Sequence, residues 1–295
     1  MIGFRKPFSK LLIGSLKSLK KREVRLKSSF SGTNSGPLLR HDHPSHGITV
    51  LTLNRPQQRN ALSLELLETL GAELDDIKVH QKELRTVVIC ANGPVFSSGH
   101  DLKQMLSPQH SNENSYSQLF KLCSQVMVKL QEIPQPVIAA VDGVATAAGC
   151  QLVATCDLAV ASPESRFATP GVNIGLFCST PAVALARVVN RKTAMDMLLT
   201  GRMVEASEAH RIGLISHIDE HPQQKAMQLA KDIAQRSSIA INIGKQAFYE
   251  QVGATTIQEA YECASDAMVK GMLTADAHEG ISAFLSKRDP EWKQE

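Results

Sequence analysis

The chain has 295 residues, 43% of them apolar, and a formal net charge of +3, which suits one large domain or two small ones with a sizeable core. Aromatic residues make up only 4%, too few for the stacking platforms of single-stranded nucleic-acid binders. The positive charge is local: residues 1–30 hold nine Lys or Arg and the one acid Glu23, so the arm carries +8 and the rest −5. The body therefore has no general attraction for nucleic acid or an anionic membrane.

The basic arm is rich in Ser and Leu, and Phe8, Leu11, Leu12, Leu16 and Leu19 can share one face of an amphipathic helix. These are the properties of a mitochondrial transit peptide. Its apolar run is broken too often by Lys for a transmembrane span. Residues 28–37, SSFSGTNSGP, read as a flexible linker, which makes 1–37 targeting sequence and linker. His41, His43 and His46 at the linker edge read as solvated. The six cysteines are scattered without a CxxC pair or a spacing shared with histidines. They read as free thiols of a reducing compartment, with no metal site.

Ile48–Asn54 alternates as a strand stopped by Arg55-Pro56. Ser63 is a good N-cap for a helix through Leu64, Leu67, Leu70 and Leu74 to about Ile77. Thr86–Ala91 is a buried strand, and residues 92–102 form a turn rich in small residues. A long helix is expected over Ser115–Ile133, ended by Pro134 and Pro136. Val137–Val141 is a buried β-branched strand, Asp142-Gly143 a turn signal, Cys150–Cys156 a small-residue helix, and Leu158–Ala161 another buried strand. Residues 166–170 read as a short edge strand, 179 onward and 191–200 as helices, 205–213 as a short helix with a Gly stop, and Leu214–Ile218 as a strand. After Pro222 only helical patterns remain, at about 223–236, 239–252 and 256–288. The organisation is thus an α/β core over 38–221 followed by a helical region over 222–295. In the stretch from Pro136 to Ser162, a strand, a tight small-residue turn and a helix start leave backbone N–H groups free at a helix N-terminus. Such groups suit a developing negative charge.

The motifs NRPQQRNAL, FSSGHDL, VDGVATAAGCQLVATCDLAVAS, FATPGVNIGL and EASEAHRIGLI, in that order, resemble the crotonase (enoyl-CoA hydratase/isomerase) superfamily from about Ile48 to Arg288. The resemblance implies a ClpP/crotonase-like spiral of ββα units with a C-terminal all-helical region that packs homotrimers or hexamers. It implies no cofactor other than a coenzyme A thioester as substrate or ligand. It also maps two backbone N–H donors for the thioester carbonyl onto His100 and Ala148. The family usually has Gly at the latter position, and the Ala148 methyl is expected to crowd the acyl sulfur. The ADP end of coenzyme A falls to Arg55, Arg59, Phe284 and Lys287.

Two departures bear on activity. Family hydratases use two carboxylates; their positions correspond here to Gln151 in AAGCQL and Gly171 in FATPG. A carboxamide can hold a water but cannot exchange a proton near neutral pH, and Gly171 has no side chain. Remaining ionisable candidates are Asp101, expected to brace its loop, and His100, whose imidazole either faces solvent or serves as a base near neutral pH. A third is Cys178, beside Ser179 at a helix start, which is either a buried structural thiol or one acidified into a nucleophile.

Overall fold

The computed structural model describes residues 36–294; the arm read as a transit peptide and most of the linker lie outside them. Ten strands and eleven α-helices are present among the described residues. One sheet has six strands in the order β1 (Leu38–His43), β2 (Ile48–Leu53), β3 (Thr86–Ala91), β5 (Val137–Val141), β7 (Leu158–Ala161), β10 (His217–Ile218). The pairs from β2 to β10 are parallel, and only β1 runs antiparallel. A second sheet holds β4 (Val95–Ser97), β6 (Val144–Thr146), β8 (Arg166–Ala168) and β9 (Val204–Glu205), parallel except for β8 against β9.

Chain order generates a spiral. Each turn crosses the first sheet, then the second, then returns through a helix. β3 and β4 lead into α2 (Leu102–Met105) and α3 (Glu113–Glu132). β5 and β6 lead into α4 (Ala148–Thr155), and β7 and β8 lead into α5 (Ser179–Val188). The central strands β5 and β7 are apolar throughout because both faces are covered. In β3, Val87 and Ile89 join the main core with α1 (Leu64–Val79) and α3. Val88 and Cys90 face Ala226, Ala230 and Ala234 of α8 (Pro222–Ala234) on the other side. Small alanines on α8 let it lie close to the sheet.

Beyond the short helices α6 (Arg191–Thr200) and α7 (Ala206–Arg211), the chain closes with α8, α9 (Ser238–Val252), α10 (Ile257–Met272) and α11 (Ala275–Leu285). No helix of the described residues is long and apolar enough to cross a membrane.

Three expectations are corrected. Leu38–His43 is a strand rather than a linker edge: Leu38 enters the core, and Arg40 pairs with Asp42, Glu73 and Asp76. Residues 166–168 are an interior strand between β6 and β9, not an edge. The small-residue turns at 92–102 and after Gly143 each contain a three-residue strand, β4 and β6, too short for a period of two to announce itself.

Candidate active site

Three loops converge at one end of the spiral. The loop after β2 passes through a 3-10 turn at Pro56–Gln58 and then Arg59 and Asn60, both with positive φ (51° and 50°). Buried Asn60 bolts the loop down: its Nδ2 donates to the Asn92 and Val95 carbonyls, and its Oδ1 accepts from the Arg55 N–H. The Leu62 N–H donates to the Gly99 carbonyl at 2.7 Å, and the Ser98 N–H to the Arg59 carbonyl at 3.0 Å. The loop carrying His100 is thereby fixed to the loop carrying Arg59. Asp101 caps α2 by accepting from the Gln104 N–H and pairs with the Arg55 guanidinium at 3.1 Å, so it braces the loop as expected.

The third loop is the turn into α4. Ala147 has φ 50° and ψ −121°, a conformation that L side chains rarely adopt, and its N–H donates to the Ala168 carbonyl at 2.9 Å. This turn leaves the Ala148 N–H as the first donor of α4, pointing off the helix end. The two donor loops touch. A Cβ added to Gly99 would meet the Ala147 methyl at 2.8 Å and the Ala148 nitrogen at 3.2 Å, and one on Gly149 would meet the Ser97 carbonyl oxygen at 2.5 Å. Only glycine permits that approach. Among the described residues neither the His100 nor the Ala148 N–H makes a hydrogen bond within the chain. Two unspent backbone donors on neighbouring loops, one of them at the positive end of a helix, form a site for a carbonyl oxygen gaining charge.

The side chains around these donors are polar, neutral and unpaired. His100 as a whole is half-buried, but both its ring nitrogens are shut off from solvent without a hydrogen bond. The ring stands edge-on to Phe120 of α3 at 5.3 Å, so the expectation of a solvent-facing imidazole is corrected. Burial pushes its pKa below the usual histidine value, with the Leu62 backbone opposing; the ring is therefore neutral near pH 7. Gln151 is 4% exposed and its Oε1 has no partner, and the hydroxyl of fully buried Thr169 is likewise unpaired. On α4, Gln151 follows Ala148 by three residues and leans towards the helix N-terminus, over the donor.

Gly171 is buried, and its N–H donates to the Cys178 sulfur at 3.3 Å. A Cβ there would lie 2.8 Å from the Leu176 carbonyl oxygen and 2.9 Å from that sulfur. Burial raises the Cys178 pKa, with the Gly171 N–H opposing, so the thiol stays protonated. Of the two readings of Cys178 at the start of α5, the buried structural thiol holds and the acidified nucleophile does not, because desolvation outweighs the Gly171 N–H. Ala148 is 1% exposed and belongs to the main core.

Of the residues assigned to coenzyme A, Arg59 is exposed beside the donor loops. Arg55 is turned inward, donating to the Ala61 carbonyl and to Asp101, so it braces the loop instead of reaching outward. Phe284, 82% exposed, and Lys287 lie at the end of α11, which packs on α9 and α10. No described hydrogen bond joins them to the donor loops. Asn60, Phe120 and Thr169 were not picked out from the sequence. Asn60 sat inside the NRPQQRNAL motif, whereas Phe120 and Thr169 depend on long-range packing.

The family profile described as enoyl-CoA hydratase/isomerase matches residues 43–295. The chain is 46% identical over 264 residues to the rat mitochondrial enoyl-CoA hydratase domain-containing protein 3, covering 89% of this chain and 87% of the relative. The crystal structure of the human enoyl coenzyme A hydratase domain-containing protein 3 superposes with a TM-score of 0.82 at 46% identity, covering 87% of this chain and 100% of that one. The crystal structure of an enoyl-CoA hydratase from Mycobacterium smegmatis gives 0.83 at 45% identity, covering 88% and 99%. A spiral of ββα units with C-terminal helices, two unspent N–H donors and these similarities lead to one assignment: the chain belongs to the enoyl-CoA hydratase/isomerase (crotonase) family.

Proposed function

We propose that the chain binds a coenzyme A thioester and performs little or no enoyl-CoA hydratase chemistry on it. The observation that carries this reading is Gly171. It supplies no proton-transfer group, and the Leu176 carbonyl and the Cys178 sulfur take the space a side chain would enter. Gln151 supports it: a buried carboxamide orients a polar ligand but moves no proton near neutral pH. Each lost acid–base role costs about 10²–10⁴ in rate. The thioester carbonyl oxygen accepts from the His100 and Ala148 N–H groups. The ADP end runs past Arg59 towards Phe284 and Lys287 of a neighbouring subunit in a homotrimer or hexamer. The exposed apolar faces of α9–α11 favour such an assembly. The ligand is an acyl-CoA of fatty-acid metabolism, with no resident cofactor. The basic arm and the mitochondrial naming of the relatives support residence in the mitochondrion, in the matrix.

One observation favours a second reading, an atypical crotonase-fold enzyme with a different base. The neutral, unpaired imidazole of His100 is the titratable side chain on the donor loops that is free to take a proton. Purified protein from about Ser28, titrated with acyl- and enoyl-CoA esters and screened for turnover by mass spectrometry, separates the two. The first reading expects binding without turnover. Turnover that vanishes in His100→Ala would replace it with the second, and absence of binding would remove both.

A further inference from the structure

The C-terminal helical layer meets the core at a polar joint. Asp157 follows the end of α4 and precedes β7. Its Oδ2 accepts from the Val137 N–H at 2.6 Å and from the Lys245 ammonium at 2.7 Å, and its Oδ1 from the Tyr249 hydroxyl at 2.8 Å. The same ammonium donates to the Leu130 carbonyl at 2.9 Å, near the end of α3, and to the Gln135 carbonyl at 2.8 Å. All three of its donors are spent. The Lys245 side chain is 6% exposed, while no residue of α9, which carries it, is buried as a whole among those described. Burial lowers the Lys245 pKa and Asp157 opposes this.

The elements tied together are the ones that hold the two N–H donors. α4 begins at Ala148 and ends at Thr155, two residues before Asp157. α3 carries Phe120, the wall against which the His100 ring stands, and ends where Lys245 takes its carbonyl. One ammonium and one carboxylate thus join the far ends of two helices whose other parts position the donors. Helices are stiff, so a shift at the joint is passed along them, and a donor displaced by a fraction of an ångström loses much of its effect on a carbonyl.

We propose that Asp157, Lys245 and Tyr249 are positioning residues that set the two N–H donors against each other and couple them to the helical layer. This rests on the thioester reading above. None of the three touches the ligand; the coupling runs through α3 and α4.

The test compares full-length wild type with Lys245→Met, Asp157→Asn and Tyr249→Phe. Two ligands are titrated: an acyl-CoA, and coenzyme A itself, which lacks the carbonyl. Isotope-edited infrared spectra of the bound acyl-CoA report polarisation of the thioester carbonyl. The expected result is a loss of about tenfold in acyl-CoA affinity for the first two variants and a smaller loss for Tyr249→Phe. Coenzyme A affinity should be unchanged and the carbonyl shift reduced in step. Tyr249→Phe keeps the packing and removes one hydrogen bond, so it decides the matter even where the ion-pair variants do not fold. Equal weakening of both ligands, or a full carbonyl shift in every variant that binds, would reduce the joint to a purely structural role and overturn the proposal. If wild type itself gives no carbonyl shift, the thioester reading and this inference both fail.

Discussion

An ideal Cβ on Gly171 would sit 2.8 Å from the Leu176 carbonyl oxygen and 2.9 Å from the Cys178 sulfur, so a carboxylate cannot be restored there by a single substitution. Gly171→Glu should destabilise the chain by about 1–3 kcal/mol through overpacking. Adding Cys178→Ala should recover part of the loss, as measured by urea unfolding. Hydratase activity is expected first in the triple variant Gln151→Glu, Gly171→Glu, Cys178→Ala; the double carboxylate variant with Cys178 intact should remain near background. Titration of His100 has a definite sign. Its folded pKa is lowered, so between that value and the unfolded value near 6.5 the unfolded chain binds more protons. The contribution of neutral His100 is fully present above about pH 6.5. It is lost as pH falls through the folded pKa. Replacing His100 with Gln should flatten that part of the stability–pH curve; an unchanged slope would mean the ring is not held neutral.

At the scale of elements, the brace between Arg55 and Asp101 ties two loops that the sequence separates by 46 residues. Arg55→Met leaves a partly buried carboxylate short of its partner, which should cost about 1–3 kcal/mol. It should also weaken acyl-CoA binding more than coenzyme A binding, because the His100 loop loses its tether while Arg59 is untouched. What the sequence made legible follows the same division. Long apolar runs such as Val137–Val141 and Leu158–Ala161 appear as strands with the expected ends, because burial on both faces writes itself into composition. Ser63 caps α1 as read, and α6 spans Arg191–Thr200 as read. The strands β4 and β6, three residues each, carry no periodicity, and β1 is held by the partner strand β2 and by Arg40 pairs to α1. Within the site, the positions of His100, Ala148, Gln151 and Gly171 could be read from motifs. The direction of a side chain could not: the inward ring of His100, the engaged guanidinium of Arg55 and the protonated thiol of Cys178 depend on neighbours distant in sequence.

For the whole molecule, the balance of apolar surface is uneven. The core of the spiral is filled, yet α9 and α10 contain no buried residue among those described. On α10, Ile257, Tyr261, Met268 and Met272 recur at a spacing that keeps them on one face, with Val269 and Leu273 beside them, all exposed. Phe248 and Val252 of α9 and Phe284 and Leu285 of α11 extend the same layer. Apolar surface on this scale marks an interface, and copies of the chain are the proposed occupant, in keeping with the proposal that Phe284 and Lys287 serve the ADP end of a ligand held by a neighbour. Val269→Glu with Leu273→Glu places two charges on that face. The expected outcome is a monomer in light scattering, with a lower melting temperature that no longer rises with protein concentration. Coenzyme A affinity should fall as well, since each site would lose the residues its neighbour supplies. A variant that stays assembled would move the interface off α10, and a monomer that keeps full coenzyme A affinity would remove Phe284 and Lys287 from the ADP site.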